Sequence, residues 1–389
     1  MKKVLLFSLI LIATNALAGR WDGASSPHNM TRIAKGPMIT SFDDLPTAAT
    51  LSDNRYAWSE TYWPSNKGGI AFRWNHPDPQ PFKYKLLTRE ELKAMSSAQM
   101  SQLSPAELYD ISQGDYNYTL TRKVLSKFSP RDLWWEGICH GWSQAASNYP
   151  EPSPVVLTNR DGIKVPFGSS DVKGLLAMHE AYNYGGTFGF VGKRCRVRGK
   201  VPGEEDVRDG QLPIPTAAEF NSPDCADVNA GAFHVVVSNL IGIYSRGFVA
   251  DIDRMNDVWN QPIFGYSSAV KAEEAVSPDH RMQGVERRIR VATNFVYGEE
   301  LQFYSAELAS QGKDNFVSKQ PVTGTSHQEF RSKNYEYILE LDGTGKIIGG
   351  EWITETRPDF MWIYERAAKF NNKVMPLSGL NAIYRPVRH

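Results

Sequence analysis

The chain has 389 residues, with 43 basic and 43 acidic side chains and a formal net charge of zero. This balance argues against a nucleic-acid partner and against binding to an anionic membrane surface. The length allows one large elaborated domain or two domains.

The first eighteen residues have the pattern of a secretory signal peptide. Lys2 and Lys3 precede an almost wholly apolar run over 4–13, and residues 16–18, A-L-A, fit a small-x-small cleavage site. The apolar run is short for a membrane span, and no later stretch is long enough. We therefore expect a mature chain that starts at Gly19. It would be exported to the periplasm or the cell exterior, where disulfides can form.

The next part of the chain divides into a loop-rich region and a helical region. Residues 19–87 are predicted to be a loop-rich N-terminal extension, and residues 88–389 an α+β catalytic domain. Thr88 with Glu91 fits a capping box, and the sequence from Ser104 starts a second helix. Residues 129–132, S-P-R-D, repeat that start signal. Further helices are predicted over 139–148 and 170–182.

Strand character dominates from residue 233 onward. The segments 233–244 and 247–253 are rich in β-branched and aromatic residues, which predicts two strands. Further strands are predicted at 285–297, 301–305, 334–341 and 346–353, with a tight turn over 341–345 between the last two. The composition thus predicts an α+β fold in which a helix with a cysteine at its start packs on an antiparallel sheet.

Cys139 is the candidate nucleophile. It lies in W-W-E-G-I-C-H-G-W-S-Q-A-A-S-N (residues 134–148), at the expected start of a helix. The unpaired N–H groups at such a position favour a thiolate and can hold an oxyanion. Trp134, Trp135 and Trp142 surround the cysteine in sequence and are predicted to wall a substrate cleft. The alternative interpretation is a buried structural cysteine.

The cysteine count supports a reactive Cys139. Cys195 and Cys225 flank a polar, Pro- and Gly-rich segment, and we predict that these two form a disulfide. Cys139 is left over, and an odd thiol in an exported protein indicates a reactive or intermolecular cysteine. The chain has no C-x-x-C and no H-E-x-x-H motif, so we expect no metal site.

A cysteine nucleophile needs a base and an acceptor that orients the base. His234 is the candidate base, because it opens a predicted strand downstream of the cysteine; the alternative is a hydrogen-bonded histidine at a strand end. The acid is open between Asp251, Asp253 and Asp257. A turn near residue 242 would bring Asp251 opposite His234, whereas a turn over 245–247 would favour Asp257.

One stretch of the sequence resembles a known family. D-V-W-N-Q-P-I-F-G-Y (257–266) resembles the short surface peptide of the oomycete transglutaminase elicitors, although I-F at 263–264 replaces a more basic pattern. Further similar segments are S-P-A-E-L-Y-D (104–110), C-H-G-W (139–142), F-H-V-V-V-S-N (233–239), I-I-G-G-E-W (347–352) and P-D-F-M-W (358–362).

The resemblance implies a calcium-independent transglutaminase with a papain-like core, a Cys-His-Asp site and no cofactor. Carried onto this sequence, Cys139 is the nucleophile and His234 the base. The family-wide pattern of an aromatic residue three positions before the acid favours Asp251.

The implied reaction is acyl transfer. The Cys139 thiolate would attack a glutamine carboxamide of a protein or peptide, His234 would protonate the departing ammonia, and a lysine or other primary amine would resolve the thioester. Asp251 would hold the imidazole in the required tautomer. The alternative is a papain-like cysteine protease or amidase that uses water at the same site. A third interpretation is a surface recognition module with an inert cysteine.

Overall fold

The structure is a computed structural model that describes residues 19–21, 23–52, 55–74, 81–194, 227–254, 257–278, 282–301 and 328–387. The predicted signal peptide, both cysteines of the predicted disulfide and residues 302–305 of a predicted strand lie outside the described residues. Within the described ranges, no helix is long and apolar enough to cross a membrane.

The helices are short and lie mostly in the first half of the chain. The α-helices are α1 (Thr31–Ala34), α2 (Arg89–Lys93), α3 (Ser97–Met100), α4 (Pro105–Ser112), α5 (Thr119–Leu125), α6 (Cys139–Asn148), α7 (Ser169–Tyr182), α8 (Ala230–Val237) and α9 (Leu380–Ile383). Short 3-10 helices are Pro27–Met30, Phe42–Asp44, Ser65–Lys67, Gly69–Ala71 and Pro81–Lys83. The predicted capping boxes are confirmed before α2 and α4, where the N-cap side chain and the residue three positions later bond each other's backbone N–H.

Eight strands of the described residues form one antiparallel sheet. Its strands are β1 (Ala48–Thr50), β4 (Phe188–Gly192), β5 (Phe248–Asp251), β6 (Asn260–Glu274), β7 (Arg287–Gly298), β8 (Phe330–Leu341), β9 (Ile347–Trp352) and β10 (Phe360–Tyr364). The order is β4-β10-β5-β6-β7-β8-β9, and β1 pairs with β6 beyond the end of β5. A separate hairpin joins β2 (Val155–Thr158) and β3 (Lys164–Phe167). The expected combination of helices with an antiparallel sheet is confirmed.

The helix that carries the candidate nucleophile lies against the middle of this sheet. α6 packs on α7 on one side and on β5 and β6 on the other. A Cβ at Gly141 would meet the Ala177 carbonyl oxygen at 2.1 Å, so this close approach of α6 to α7 requires a glycine. The region predicted as an extension belongs to the same core, since Trp63 and Ile70 are fully buried there.

The largest error of the sequence interpretation is at 233–244. This segment is not a strand: α8 covers Ala230–Val237 and a π-helical turn covers Ser238–Ile243. Every residue of α8 is buried, so the segment lacks the one-sided apolar periodicity that separates helices from strands. The helix start was readable, because the Asn229 side chain caps it by accepting the N–H groups of Gly231 and Ala232.

Other local predictions have mixed outcomes. The strands predicted at 247–253, 285–297, 334–341 and 346–353 are confirmed as β5, β7, β8 and β9. The start signal at 129–132 is followed by turns and not by a helix. β6 and β10, which the sequence interpretation did not identify, are the strands that hold the partners of Cys139.

Candidate active site

Cys139 is the first residue of α6, as predicted. Its position is fixed by the preceding residue, because the Ile138 N–H donates to the Tyr62 carbonyl oxygen at 2.8 Å. Gly137 passes so close to the same segment that a Cβ there would lie 2.4 Å from that oxygen. The thiol is therefore held between the N-terminus of α6 and the chain at Tyr62, with 7% of the residue exposed.

The sulfur contacts residues at the start of β6. Asn260 Nδ2 lies 3.6 Å from Cys139 Sγ, and the Val258 carbonyl oxygen lies 3.8 Å from it on the other side. The orientation of the Asn260 amide is fixed, since Trp362 Nε1 donates to Asn260 Oδ1 at 2.8 Å. The amide therefore presents its N–H groups to the sulfur.

Asp251 lies directly across from Asn260 on the neighbouring strand. Residues paired in this way share one face of an antiparallel sheet. Asp251 Oδ1 accepts the Trp259 backbone N–H at 3.3 Å, and Oδ2 has no hydrogen-bond partner among the described residues. Of the alternative acids, Asp253 pairs with Lys333 at 3.2 Å and Asp257 accepts the indole N–H of Trp259 at 2.5 Å.

A second carboxyl group approaches the sulfur from the β7 side. Glu300 follows β7, and Gln261 Nε2 on β6 donates to Glu300 Oε2 at 3.1 Å. The Glu300 charge raises the pKa of Cys139. Asp251 also raises that pKa, by a smaller amount. Cys139 thus lies at the end of β6, with one carboxyl group from each neighbouring strand.

The pKa of the thiol is raised, to about 12, and not lowered as the helix position suggested. Burial is the largest cause and the Glu300 charge the second, and together they outweigh hydrogen bonds from the side chain and backbone N–H of Asn260. A helix N-terminus contributes about 0.3–1 kcal/mol to an exposed anion, which is less than one pKa unit. In this state the cysteine is a neutral thiol.

The structure does not bring His234 to the sulfur. His234 Nδ1 is hydrogen-bonded to the Tyr337 hydroxyl at 2.7 Å, and this hydroxyl also bonds Thr293 Oγ1 at 2.7 Å. The ring stacks on Phe42, with centroids 6.0 Å apart, and burial lowers the pKa of His234 to about 4. His234 thus belongs to a buried polar contact between α8 and β8. His140, next to the cysteine, is also neutral, because burial lowers its pKa to about 4.

The three tryptophans predicted to wall a cleft separate into two groups. Trp142 is fully buried and donates its Nε1–H to the Trp58 carbonyl oxygen at 3.2 Å, so it belongs to the core, and its predicted place in a cleft is wrong. Trp134 is 44% exposed, and its ring lies 5.9 Å from that of Trp259. Trp135 is partly exposed. Trp259 also meets Tyr62 edge to face at 5.8 Å, which makes an aromatic rim beside Cys139.

The described residues contain no group of three or more His, Cys, Asp or Glu side chains that could hold a metal ion. The arrangement instead combines a thiol with an oriented amide, the fully buried carboxyl group of Asp251 and the partly buried one of Glu300. Such a set can carry nucleophilic acyl chemistry with proton exchange at the carboxyl groups.

Comparison with known proteins identifies the family. The model of the transglutaminase elicitor family matches residues 132–388, which is more than half of the chain. The chain belongs to this family. No curated protein matches the sequence.

The fold of this transglutaminase elicitor family member is also found in a solved structure. The crystal structure of the GP42 transglutaminase from Phytophthora sojae aligns with a TM-score of 0.61 and covers 93% of this chain and 97% of that chain. The sequence identity is 19%, so this likeness concerns the fold. Family and fold together indicate a transglutaminase-type protein.

The sequence analysis of this elicitor-family chain missed four residues at the site. Asn260 and Trp259 lie in the V-W-N-Q-P segment, and Trp362 lies in P-D-F-M-W; both segments carried the family resemblance without a chemical role. Glu300 had no signal at all, because an acidic residue after a strand is common. Its importance follows only from the pairing that places it beside β6.

Proposed function

We propose that this chain is a protein-glutamine γ-glutamyltransferase in which Cys139 forms a thioester with a glutamine side chain. The observation that carries the proposal is the contact of Cys139 Sγ with the Asn260 amide, 3.6 Å away at the start of a helix. Membership of the transglutaminase elicitor family supports the same reaction. A helix that presents its first residue to an antiparallel sheet also fits the papain-like arrangement expected from the sequence.

Asn260 stabilises the charged forms of the reaction in this proposal. Its amide N–H groups face the sulfur, so they can hold the thiolate and then the oxyanion that develops on the attacked carbonyl. The backbone N–H of Cys139, at the N-terminus of α6, is the second oxyanion donor. Trp362 holds the amide in place through its indole N–H.

Asp251 remains part of the proposed site with a changed role. It does not orient the imidazole of His234, because that ring is bonded to Tyr337. It accepts the Trp259 N–H and lies opposite Asn260, so it positions the segment that carries the amide. His234 is proposed to stabilise the packing of α8 on β8.

The substrates of the proposed reaction are a glutamine in a protein or peptide and a primary amine such as a lysine side chain. The aromatic rim of Tyr62, Trp134 and Trp259 borders the thiol and limits the access of water, which favours the amine over hydrolysis. An extracellular location accords with the elicitor family, and we propose export through the predicted signal peptide.

The test measures amine transfer and hydrolysis in the same sample. The mature protein is incubated with a glutamine-containing peptide and a fluorescent primary amine, and peptide-bond cleavage is followed in parallel. We expect Cys139-dependent incorporation of the amine. The Cys139→Ser variant, with unchanged circular dichroism, is expected to be inactive. Cleavage of the peptide bond without amine incorporation would instead show a cysteine protease at this site, and full activity in Cys139→Ser would refute the nucleophile.

A further inference from the structure

Three oxygen atoms without partners lie in segments that adjoin the contacts of the nucleophile. Gln261 donates to Glu300 Oε2 through Nε2, while Gln261 Oε1 and Glu300 Oε1 are withdrawn from solvent and have no hydrogen-bond partner among the described residues. Thr61 Oγ1 is also withdrawn from solvent and has no hydrogen-bond partner among the described residues. Thr61 follows Glu60, whose backbone pairs with that of Glu300 in an isolated bridge. Gln261 is 5% exposed and Thr61 is fully buried. Each such unpaired atom costs about 1–3 kcal/mol, so three of them together point to a site for a donor.

The cluster lies on the reaction side of the molecule. Thr61 precedes Tyr62, whose carbonyl oxygen anchors the residue before Cys139. Burial raises the pKa of Tyr62, and the charges of Glu300 and Cys139 raise it further. Gln261 follows Asn260, the residue in contact with the sulfur. The acceptors therefore belong to the segments, near Tyr62 and along β6, that contact Cys139 or the residue before it.

We propose that Glu300, with Gln261 and Thr61, binds the substrate nitrogen and that Glu300 exchanges a proton with it. This inference rests on the proposed transglutaminase function. The nitrogen is first the ammonia that leaves the glutamine and then the primary amine that replaces it. A carboxamide, ammonia and an ammonium group bring two or three N–H donors, which matches a set of acceptor oxygens. The two nitrogens share one site because aminolysis of the thioester is the reverse of its formation.

The proton balance of the first half-reaction closes within this site. The thiol proton moves from Cys139 Sγ to Glu300, the sulfur forms a bond to the carboxamide carbon, and the C–N bond then breaks. Glu300 returns the proton to the nitrogen, which leaves as ammonia. The negative charge lies on Glu300 before the first transfer and on the sulfur after it. The carboxylate and the thiolate therefore never coexist.

The second half-reaction uses the same carboxylate. The amine enters as an ammonium group, pairs with the ionised Glu300 and gives it one proton. The free amine attacks the thioester carbon, the amide bond forms, and the Cys139 thiolate leaves and takes the second proton that the attacking nitrogen loses. Glu300 then releases its proton to solvent and is ionised again. Burial raises the pKa of Glu300 to about 8, which keeps this exchange possible near neutral pH. The carboxylate neighbours of Glu300 are Glu299 along the chain and Glu60 across the bridge, and Glu299 raises the pKa of Glu300 further.

The experiment compares two acyl donors in the Glu300→Gln variant at pH 9. A glutamine peptide needs a proton on its leaving nitrogen, whereas a p-nitrophenyl ester of the same acyl group leaves as an anion. We expect ammonia release from the peptide to fall by about 10²–10⁴ in Glu300→Gln, the usual contribution of general acid–base catalysis. The Cys139-dependent burst of nitrophenol is expected to fall by a clearly smaller factor, since the ester needs Glu300 only to take the thiol proton and its leaving group takes none. The matched control is Glu299→Gln, whose carboxylate pairs with Arg331 and for which both rates are expected to be retained.

A second measurement follows the amine. With the ester-acylated enzyme, Glu300→Gln is expected to lose capture by a lysine-type amine and to keep capture by methoxyamine, which arrives unprotonated. Equal losses on both donors, or ammonia release within about threefold of wild type, would overturn the assignment of Glu300. A wild-type protein without a Cys139-dependent ester burst would overturn the proposed function itself, which separates the two failures.

Discussion

The raised pKa of Cys139 leads to a prediction that runs against the usual signature of a catalytic cysteine. An aromatic disulfide reagent is expected to label this thiol more slowly in the folded protein than in the protein unfolded with urea. At pH 8 a thiol with a pKa of about 12 is ionised in roughly one molecule in ten thousand, against about one in ten for the ordinary value of 9.0. The less acidic thiolate is more nucleophilic, by about twentyfold for a Brønsted slope of roughly 0.45. The net expectation is labelling about fiftyfold slower, before the burial of the sulfur slows it further.

The assay is peptide mapping after short exposures to the reagent between pH 7 and 10, with the label read on the peptide that contains Cys139. The labelling rate is expected to rise with pH throughout this range, because the pKa of the thiol lies above it. Labelling at pH 7 as fast as in the unfolded chain would refute this reasoning. It would mean that a cation, such as a protonated histidine, stabilises the thiolate in solution. Slow labelling alone does not identify an inert cysteine, so the activity assays above must decide that question.

Three further predictions concern the histidine, the pH dependence of stability and the disulfide. His234→Phe is expected to keep amine incorporation within about tenfold, whereas loss of a general base would cost about 10²–10⁴. Chemical denaturation should show a loss of roughly 0.5–1.5 kcal/mol from the removed hydrogen bond to the Tyr337 hydroxyl, which keeps its bond to Thr293. Burial raises the pKa of Asp171 and of Glu300 to about 8, so between pH 6.5 and 8 the folded chain binds more protons than the unfolded chain. Stability to urea should therefore fall by about 1–3 kcal/mol over that range, and a rise would contradict the burial of these groups. Non-reduced peptide mapping should show Cys195 linked to Cys225, closing a loop of about 30 residues worth roughly 3.5 kcal/mol; a link from either to the third cysteine would exclude the pairing.

Local structure was predictable where the interactions that determine it lie within one short segment. The helix start at Thr88 was readable because the N-cap and its partner Glu91 are three residues apart and satisfy each other's backbone groups. The turn over 341–345 was correct for the same reason. α6 also begins at Cys139 as predicted, although no side chain caps it and the distant Tyr62 anchors its start. The segment 233–244 failed because burial on all sides removes periodicity, and β-branched residues then favour a strand in any local reading.

The sequence by itself determined the family, the odd cysteine and its place at a helix start. These properties reside in segments of a few residues, which are the same in any conformation. Only the tertiary structure decided which residues surround that cysteine. Asn260 is 121 residues away from it and Trp362 is a further 102 residues along the chain, yet the pairing of β5, β6 and β10 brings Asn260 into contact with both. The pKa of the thiol is likewise a tertiary property, since burial and the charge of Glu300 exceed the local effect of the helix end.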